Sequence, residues 1–290
     1  FVRIYIHIIP TLHAGGGESI LAKACQIIDA KHFVICLGSP GIISYQLKAI
    51  GVKTYYPFRN LVCLLSTFSL VFRYLFYDKT LFQGWMYYGD LSVLLIYILS
   101  FGQARIRFFL LTSANNTKMS IGSLFSREIS KISSNIFKFD ILAISNSCKT
   151  SHLSIGYNRN SLRTVYPPVK AKPVLSINDI LLSRRQRRIS EKCFRFIMIA
   201  RYDNVKNHKL ALLAFNEFKV NIKLDMYGEG IHEGNTSLKS LIKSNVSNDK
   251  INNLSLMGED LDIKNHIYKY DYSLLTSFSE GLPLSIIEAS

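Results

Sequence analysis

Two glutamates, Glu280 and Glu288, stand with seven residues between them in SEGLPLSIIEAS, on either side of an apolar run. Paired carboxylates first suggest the acid and nucleophile of a glycoside hydrolase, which sit about 5 to 9.5 Å apart. The spacing argues otherwise. Pro283 suits the first turn of a helix running through LSIIEAS, which sets Glu288 roughly 7.5 Å along the axis from Pro283 at about 1.5 Å per residue and leaves Glu280 further back. Two separate grips on hydroxyl groups fit better than a dyad, because a buried carboxylate needs hydrogen-bond partners and sugar hydroxyls supply them.

A pair of cations accompanies the carboxylates. ARYDNVKNH puts Arg201 just past a buried strand and Lys206 at the start of the following helix. Two cations in one strand-to-helix loop suit a diphosphate, which needs both charge and forked hydrogen bonding; a solvated loop is the plain alternative. GGGE, from Gly15 to Glu18, follows the first strand and opens the first helix. Glycines there let backbone approach a phosphate at a helix N-terminus, although a tight turn needs glycine equally. The run does not fit G-x-G-x-x-G and no acidic residue ends the second strand, so a nicotinamide cofactor loses support.

The elements that must hold these residues alternate. VRIYIHII reads as a strand, GESILAKACQIIDA as an amphipathic helix and HFVICLG as a strand, and the series continues through TLFQ, RIRFFLL, DILAIS and SLRTVYPPV. Such alternation implies a parallel sheet covered on both faces. Residues 170–192 change character, mixing proline and serine with Arg184, Arg185, Arg187 and Arg188; they read as a linker or basic insertion with a solvated face. Alternation resumes with CFRFIMIA, HKLALLAFNEFK, IKLDMYG, NTSLKSLIKSN, INNLSLMG and YSLLTS. The expectation is an α/β chain of two doubly wound parallel-sheet domains in series, residues 1–169 and 193–290, with a crevice between them where strand ends meet.

Composition bounds the rest. A chain of 290 residues that is 48% hydrophobic can bury large cores, and five dispersed cysteines suggest neither a disulfide framework nor a zinc knuckle. A net charge of +15 points to an acidic partner: a phosphorylated small molecule, nucleic acid or an anionic membrane. The apolar stretches 61–77 and 91–101 fall short of a spanning helix, the first broken by Arg73 and the second too short, and read as buried or surface-lying helices.

Taken in order, GGGES, QGWMYYGDL, AISNSCKTSHLSIGY with VYPPV, ARYDNVKNH, YGEG, LMGEDLDI and SFSEGLPLSIIEAS resemble the retaining glycosyltransferases of family 4, which have the GT-B fold. The resemblance implies two Rossmann-like parallel-sheet domains facing across a cleft, the second incomplete, and sugar transfer from a nucleotide-sugar, commonly a UDP-sugar, with retention of configuration and usually without a metal. It implies that Gly16 and Gly17 border the donor phosphate and acceptor, that Arg201 and Lys206 neutralise the diphosphate, that Glu280 binds the donor sugar and that Glu288 holds the ribose. The amides of Gly281, Leu282 and Leu284 would cap sugar and phosphate. Arg201, Lys206 and Glu280 would carry the catalysis. The implied acceptor is a glycan or lipid-linked molecule in cell-surface glycan (polysaccharide or lipopolysaccharide) synthesis. The dispersed cysteines fit a reducing cytoplasm, the basic surface and aromatic, apolar helices fit a protein peripheral on the anionic inner membrane face, and no recognition motif accompanies the charge to suggest nucleic acid.

The chain departs from that pattern at Tyr88, where relatives carry histidine, near Thr112 and Ser113, where they place another, and at Ala200, usually glycine. Family members also continue beyond the position of Ser290, so the resemblance implies a truncated chain. A catalytically inactive GT-B-like protein that binds a nucleotide or a partner is the alternative expectation.

Overall fold

A computed structural model describes residues 3–13, 15–114, 119–137, 139–167, 176–260 and 262–289. The chain falls into two units, residues 1–168 and 169–290. The first contains β1 (Ile4–Ile9), α1 (Gly16–Ile27), β2 (Lys31–Cys36), α2 (Ile42–Ala49), β3 (Lys53–Tyr55), α3 (Leu61–Tyr74), β4 (Thr80–Trp85), α4 (Met86–Leu99), β5 (Ile106–Leu110), α5 (Ile121–Ile136), β6 (Asp140–Ala143), α6 (Asn146–Ser154) and β7 (Leu162–Thr164). Its seven strands form one parallel sheet in the order β3-β2-β1-β4-β5-β6-β7. The order reverses between β1 and β4, the place where such sheets bind ligands beyond their strand ends.

Central strands of a covered parallel sheet are apolar on both faces, and β1 meets this with Ile4, Ile6, Ile8 and Ile9 buried. His7 is the exception inside it. Trp85 Nε1 donates to His7 Nδ1 at 3.1 Å, which places the His7 proton on Nε2. That nitrogen donates to His32 Nδ1 at 3.0 Å, and His32 Nε2 donates to the Ile28 carbonyl at 3.0 Å. The relay runs in one direction and keeps both rings neutral; burial, then the neighbouring His32, pushes His7 down to about 3. On α6, His152 donates from Nδ1 to the Cys148 carbonyl and accepts from the Tyr87 hydroxyl, each at 2.8 Å, and burial pushes it down to about 4.

These neutral histidines make the fold acid-sensitive. Below about pH 6.5 the unfolded chain takes up protons that the native imidazoles refuse. Stability is therefore full above about pH 6.5 and falls with pH, at up to about 1.4 kcal/mol per unit for each histidine, down to its native value. Burial holds Asp90 well above the usual carboxylate range, and its contribution runs in the opposite direction. His7 and His152 together should lose about 3 kcal/mol between about pH 6.5 and pH 5, offset only in part by Asp90, so the expected result is a lower stability at pH 5. Guanidinium unfolding at the two pH values checks it, and an unchanged midpoint would contradict the buried neutral imidazoles.

The stretch 61–77 is the surface-lying α3, begun by Asn60, whose side chain accepts from Cys63 N at 2.8 Å. The stretch 91–101 belongs to α4, which buries Val93, Leu94 and Ile96. No described helix is long and apolar enough to cross a membrane. The five cysteines are free.

The second unit contains α7 (Ile177–Glu191), β8 (Phe194–Ile199), α8 (His208–Glu217), β9 (Ile222–Tyr227), α9 (Thr236–Asn245), β10 (Leu254–Gly258), β11 (Tyr272–Ser273) and α10 (Leu284–Ala289). Its parallel sheet has the order β10-β9-β8-β11, reversing between β8 and β11. Phe196, Met198, Leu224 and Met226 on the strands pack with Leu212 and Phe215 of α8 and Leu238 of α9.

Residues 177–191, read from composition as linker or solvated insertion, form α7 and dock on this unit. Ser176 caps the helix, accepting from Asp179 N at 3.1 Å while its hydroxyl donates to the Asp179 carboxylate, a reciprocal cap. Arg187 and Arg188 donate to Asp271, whose side chain is 0% exposed, at 2.9 and 3.2 Å, and Arg184 donates to the Tyr268 carbonyl. The basic cluster is in large part an internal clasp, because Arg184, Arg187 and Arg188 share one helical face. Two expected strands are also shorter than read. YSLLTS pairs only at Tyr272 and Ser273, and INNLSLMG opens with a 3₁₀ turn, Ile251–Asn253.

Candidate functional site

At the reversal point of the second sheet, β8 leads through Ala200, Arg201, Tyr202 and Asp203 into a 3₁₀ turn, Asn204–Lys206. Asp203 shapes this turn by accepting from Val205 N at 2.7 Å. Asn207 then takes a left-handed conformation with φ 51° and begins α8, a conformation that asparagine tolerates better than most residues. Glycine is required nearby. Gly228 at the end of β9 has φ 139°, and a Cβ there would strike the Ala200 carbonyl, so the loop bearing Arg201 lies directly against the β9 terminus.

The chain leaving β11 is strapped to the same turn. Thr276 Oγ1 donates to the carbonyls of Lys206 and Asn207 at 3.0 and 3.1 Å, and Phe278 N donates to the Val205 carbonyl at 2.9 Å. This strap brings together Lys206 and Glu280, 74 residues apart in sequence: Lys206 Nζ lies 2.7 Å from Glu280 Oε1, both side chains about a fifth to a quarter exposed. A half-buried ion pair of this kind keeps polar hydrogen-bonding capacity at a solvent-accessible point, since each ammonium has three donors and each carboxylate several acceptor positions.

Arg201 behaves differently. Its side chain is 53% exposed, with Nη2 3.7 Å from Asp203 Oδ2, while its backbone carbonyl accepts from His208 Nε2 at 2.9 Å. His208 Nδ1 is buried with no partner among the described residues, and burial lowers its basicity. Gly281 and Leu282 form the bend after Glu280, and Leu284 is the first residue of α10. Pro283 immediately precedes that helix, one place earlier than read from sequence, and its carbonyl accepts from the amides of Ile286 and Ile287 at 3.1 and 3.3 Å. Glu288 falls within α10, but its side chain lies outside the described residues, as does Ser290.

In the first unit, Gly16 and Gly17 are the first residues of α1, with Gly15 at the N-cap. A Cβ on Gly15 would strike the Glu18 carboxylate, and one on Gly17 would strike Leu111. Glu18 is buried and accepts from Thr11 Oγ1 at 2.6 Å. Packing against these two side-chain ends therefore favours glycine without any ligand, although either end could shift to admit a Cβ, and the positive end of α1 already has a carboxylate beside it. Tyr88 on α4 is 40% exposed, its hydroxyl 3.5 Å from Ser120 Oγ.

One group among the described residues has metal-ligating atoms within 4.8 Å of one another: His7, Cys25 and His32. Its chemistry is spent elsewhere. The four imidazole nitrogens are committed to the relay that starts at Trp85, and burial pushes the Cys25 thiol up to about 12, whereas metal binding needs a thiolate and free nitrogen lone pairs.

Residues 179–290 match the family model described as glycosyl transferases group 1. No curated protein matches the sequence. Solved structures do match in fold. Anabaena HepE in complex with UDP-glucose superposes with a TM-score of 0.79 at 15% identity, over 99% of this chain and 78% of HepE. A mutant of S. aureus TarM bound to fondaparinux, alpha-GlcNAc-glycerol and UDP gives 0.70 at 12% identity, over 99% and 83%. The lipopolysaccharide outer core galactosyltransferase WaaB gives 0.63 at 16%, over 99% and 77%. The chain has the GT-B fold.

Within the GT-B chain, sequence reasoning marked Lys206 and Glu280 but missed what holds them. Asp203, Thr276 and the Phe278 amide are the residues that build the turn and tie the strap to it. D-N-V-K in ARYDNVKNH carried a usable signal for Asp203, since aspartate commonly caps a turn two residues on. Nothing local announces Thr276, whose partners lie about 70 residues away.

Proposed function

We propose that this protein is a retaining glycosyltransferase that moves a sugar from a nucleotide-sugar, a UDP-sugar, to a glycan or lipid-linked acceptor in cell-surface glycan synthesis. The observation that carries this reading is the Lys206–Glu280 pair at the β8/β11 reversal, inside the segment that matches the group 1 model. HepE binds UDP-glucose and the TarM structure contains UDP, which supports uracil as the base of the donor nucleotide.

Departure of the nucleotide diphosphate leaves positive charge at the anomeric carbon and added negative charge on the leaving phosphate. Lys206 and Arg201 stabilise that phosphate more as the bond breaks, and so lower the barrier. Glu280 accepts from the donor sugar's hydroxyls, while Gly281, Leu282 and Leu284 offer backbone amides beside it and Glu288 takes the ribose. Gly16 and Gly17 border the acceptor side. The acceptor hydroxyl attacks the face the phosphate leaves, and its proton passes to the departing phosphate oxygen, so no protein nucleophile enters, and Lys206 and Arg201 supply the positive charge the diphosphate needs. Tyr88, in place of the histidine the family resemblance implies, favours a second reading: a GT-B protein that binds nucleotide without turnover.

Thermal unfolding with UDP, GDP and ADP tests the donor. Stabilisation by UDP, about 2.7 kcal/mol at a hundredfold excess over Kd, is expected, and a response to GDP or ADP alone would refute it. UDP release from UDP-sugars separates the two readings, and the anomeric configuration of the product decides retention.

A further inference from the structure

We infer that α3 is a docking surface that lies in the interface of an anionic lipid bilayer. The inference is independent of the donor and the reaction. Leu61, Leu65, Phe68 and Phe72 fall within an arc of about 60° on α3 at about 100° per residue, and they are 58% to 76% exposed. Phe58 before the helix and Phe76 after it extend the row, at 76% and 56%. The helix is inside out: its buried positions are Thr67 and Leu70, and its largest side chains face solvent. A contiguous apolar row of this size on a folded protein marks an interaction site.

Charge selects the occupant. Between Asp29 and Asp78 the chain has no acidic residue, while it carries Lys31, Lys48, Lys53, Arg59 and Arg73. Three of these cations, Lys31, Lys53 and Arg73, line one groove of about 520 Å³ together with Tyr55 and Tyr74. Ser66, Ser69 and Arg73 of α3 also line it, so the groove opens along one flank of the apolar row. Aromatic and aliphatic side chains that sink to the acyl boundary, with cations beside them at the depth of the headgroup phosphates, are what an in-plane amphipathic helix presents to a bilayer. No described helix can span one, so contact stays at the surface. The exposed row on α5, Ile121, Phe125, Ile132 and Ile136, has the cations beside it, Arg127 and Lys131, already engaged by Glu128, whereas the chain between Asp29 and Asp78 offers Lys31, Lys53 and Arg73 no carboxylate.

Co-sedimentation of the full chain with vesicles of phosphatidylcholine, with and without phosphatidylglycerol, tests this. The wild type should pellet with the anionic vesicles at low salt and much less with the neutral ones. F68S/F72S and K53E/R73E should each lower that partitioning about tenfold or more, with unchanged melting temperature and UDP response. Wild-type protein that stays in the supernatant, or variants that pellet as it does, would overturn the proposal. So would sedimentation velocity showing a dimer that F68S/F72S dissolves, which would give the row to a second copy of the chain. The charge-reversed variant keeps the test open should the apolar one fail to fold.

Discussion

A Lys206→Ala protein transfers sugar about a hundredfold to a thousandfold more slowly than the wild type, the usual loss when one preorganised donor to a developing negative charge is removed. Lys206 is preorganised by three neighbours, since Asp203 shapes its turn, Thr276 binds its carbonyl, and Glu280 orients its ammonium at 2.7 Å. Its substitution should weaken UDP and UDP-sugar alike, because both carry the diphosphate. Glu280→Gln keeps the shape of the side chain but removes its charge, and should leave UDP affinity near the wild-type level while slowing turnover and weakening discrimination among sugars. Stopped assays of UDP release, with calorimetric titration of UDP and UDP-sugar, resolve the two. Were the pair only a structural tie, both variants would melt earlier by similar amounts and would show no such division. Equal losses of UDP affinity in the two would therefore remove the assigned roles.

Asp271→Ala destabilises the second unit by about 3 kcal/mol, near the lower end of what breaking a buried ion pair costs. Asp271 is fully enclosed, accepts from Arg187, Arg188 and the Arg195 amide, and stands at the entry to β11. Removing the carboxylate strands Arg187, whose side chain is only 13% exposed and whose Nε has no hydrogen-bond partner among the described residues; Arg188, at 39%, can turn to water. That asymmetry keeps the loss below the upper end of the range. β11 continues into the strap that carries Thr276 and Glu280, so the loss should reach the site as weaker donor binding. Guanidinium unfolding checks the stability, and a change below about 1 kcal/mol would show that the clasp contributes little. An Arg187→Met, Asp271→Leu protein should recover part of the loss, because the apolar pair carries no charge to desolvate, while the Arg195 amide still loses its acceptor.

The clasp also shows where sequence reading stops. The composition of residues 170–192 suggested a linker, because charge and proline content average over a window and ignore direction. S-x-x-D at Ser176 and the spacing of Arg184, Arg187 and Arg188 were the local signs of a capped helix with one cationic face. What they could not show is that Asp271, more than eighty residues later, waits in the core for that face. In α3 the signal was legible but ambiguous: apolar residues at helical spacing look the same whether the row packs inward or outward.

Alternating apolar runs and helical patterns determined the parallel α/β architecture without help, because strand burial and helix periodicity are local properties of the chain. Residue type and spacing likewise singled out Arg201, Lys206 and Glu280 as groups with chemistry to do. Only the tertiary structure decided that Lys206 meets Glu280 while Arg201 lies beside Asp203, that Gly15 and Gly17 at the start of α1 pack against Glu18 and Leu111, and that His7 belongs to a proton-ordered relay. Each of those facts depends on contacts between residues far apart in sequence, which are set by strand order and the close approach of loops at a sheet's reversal point.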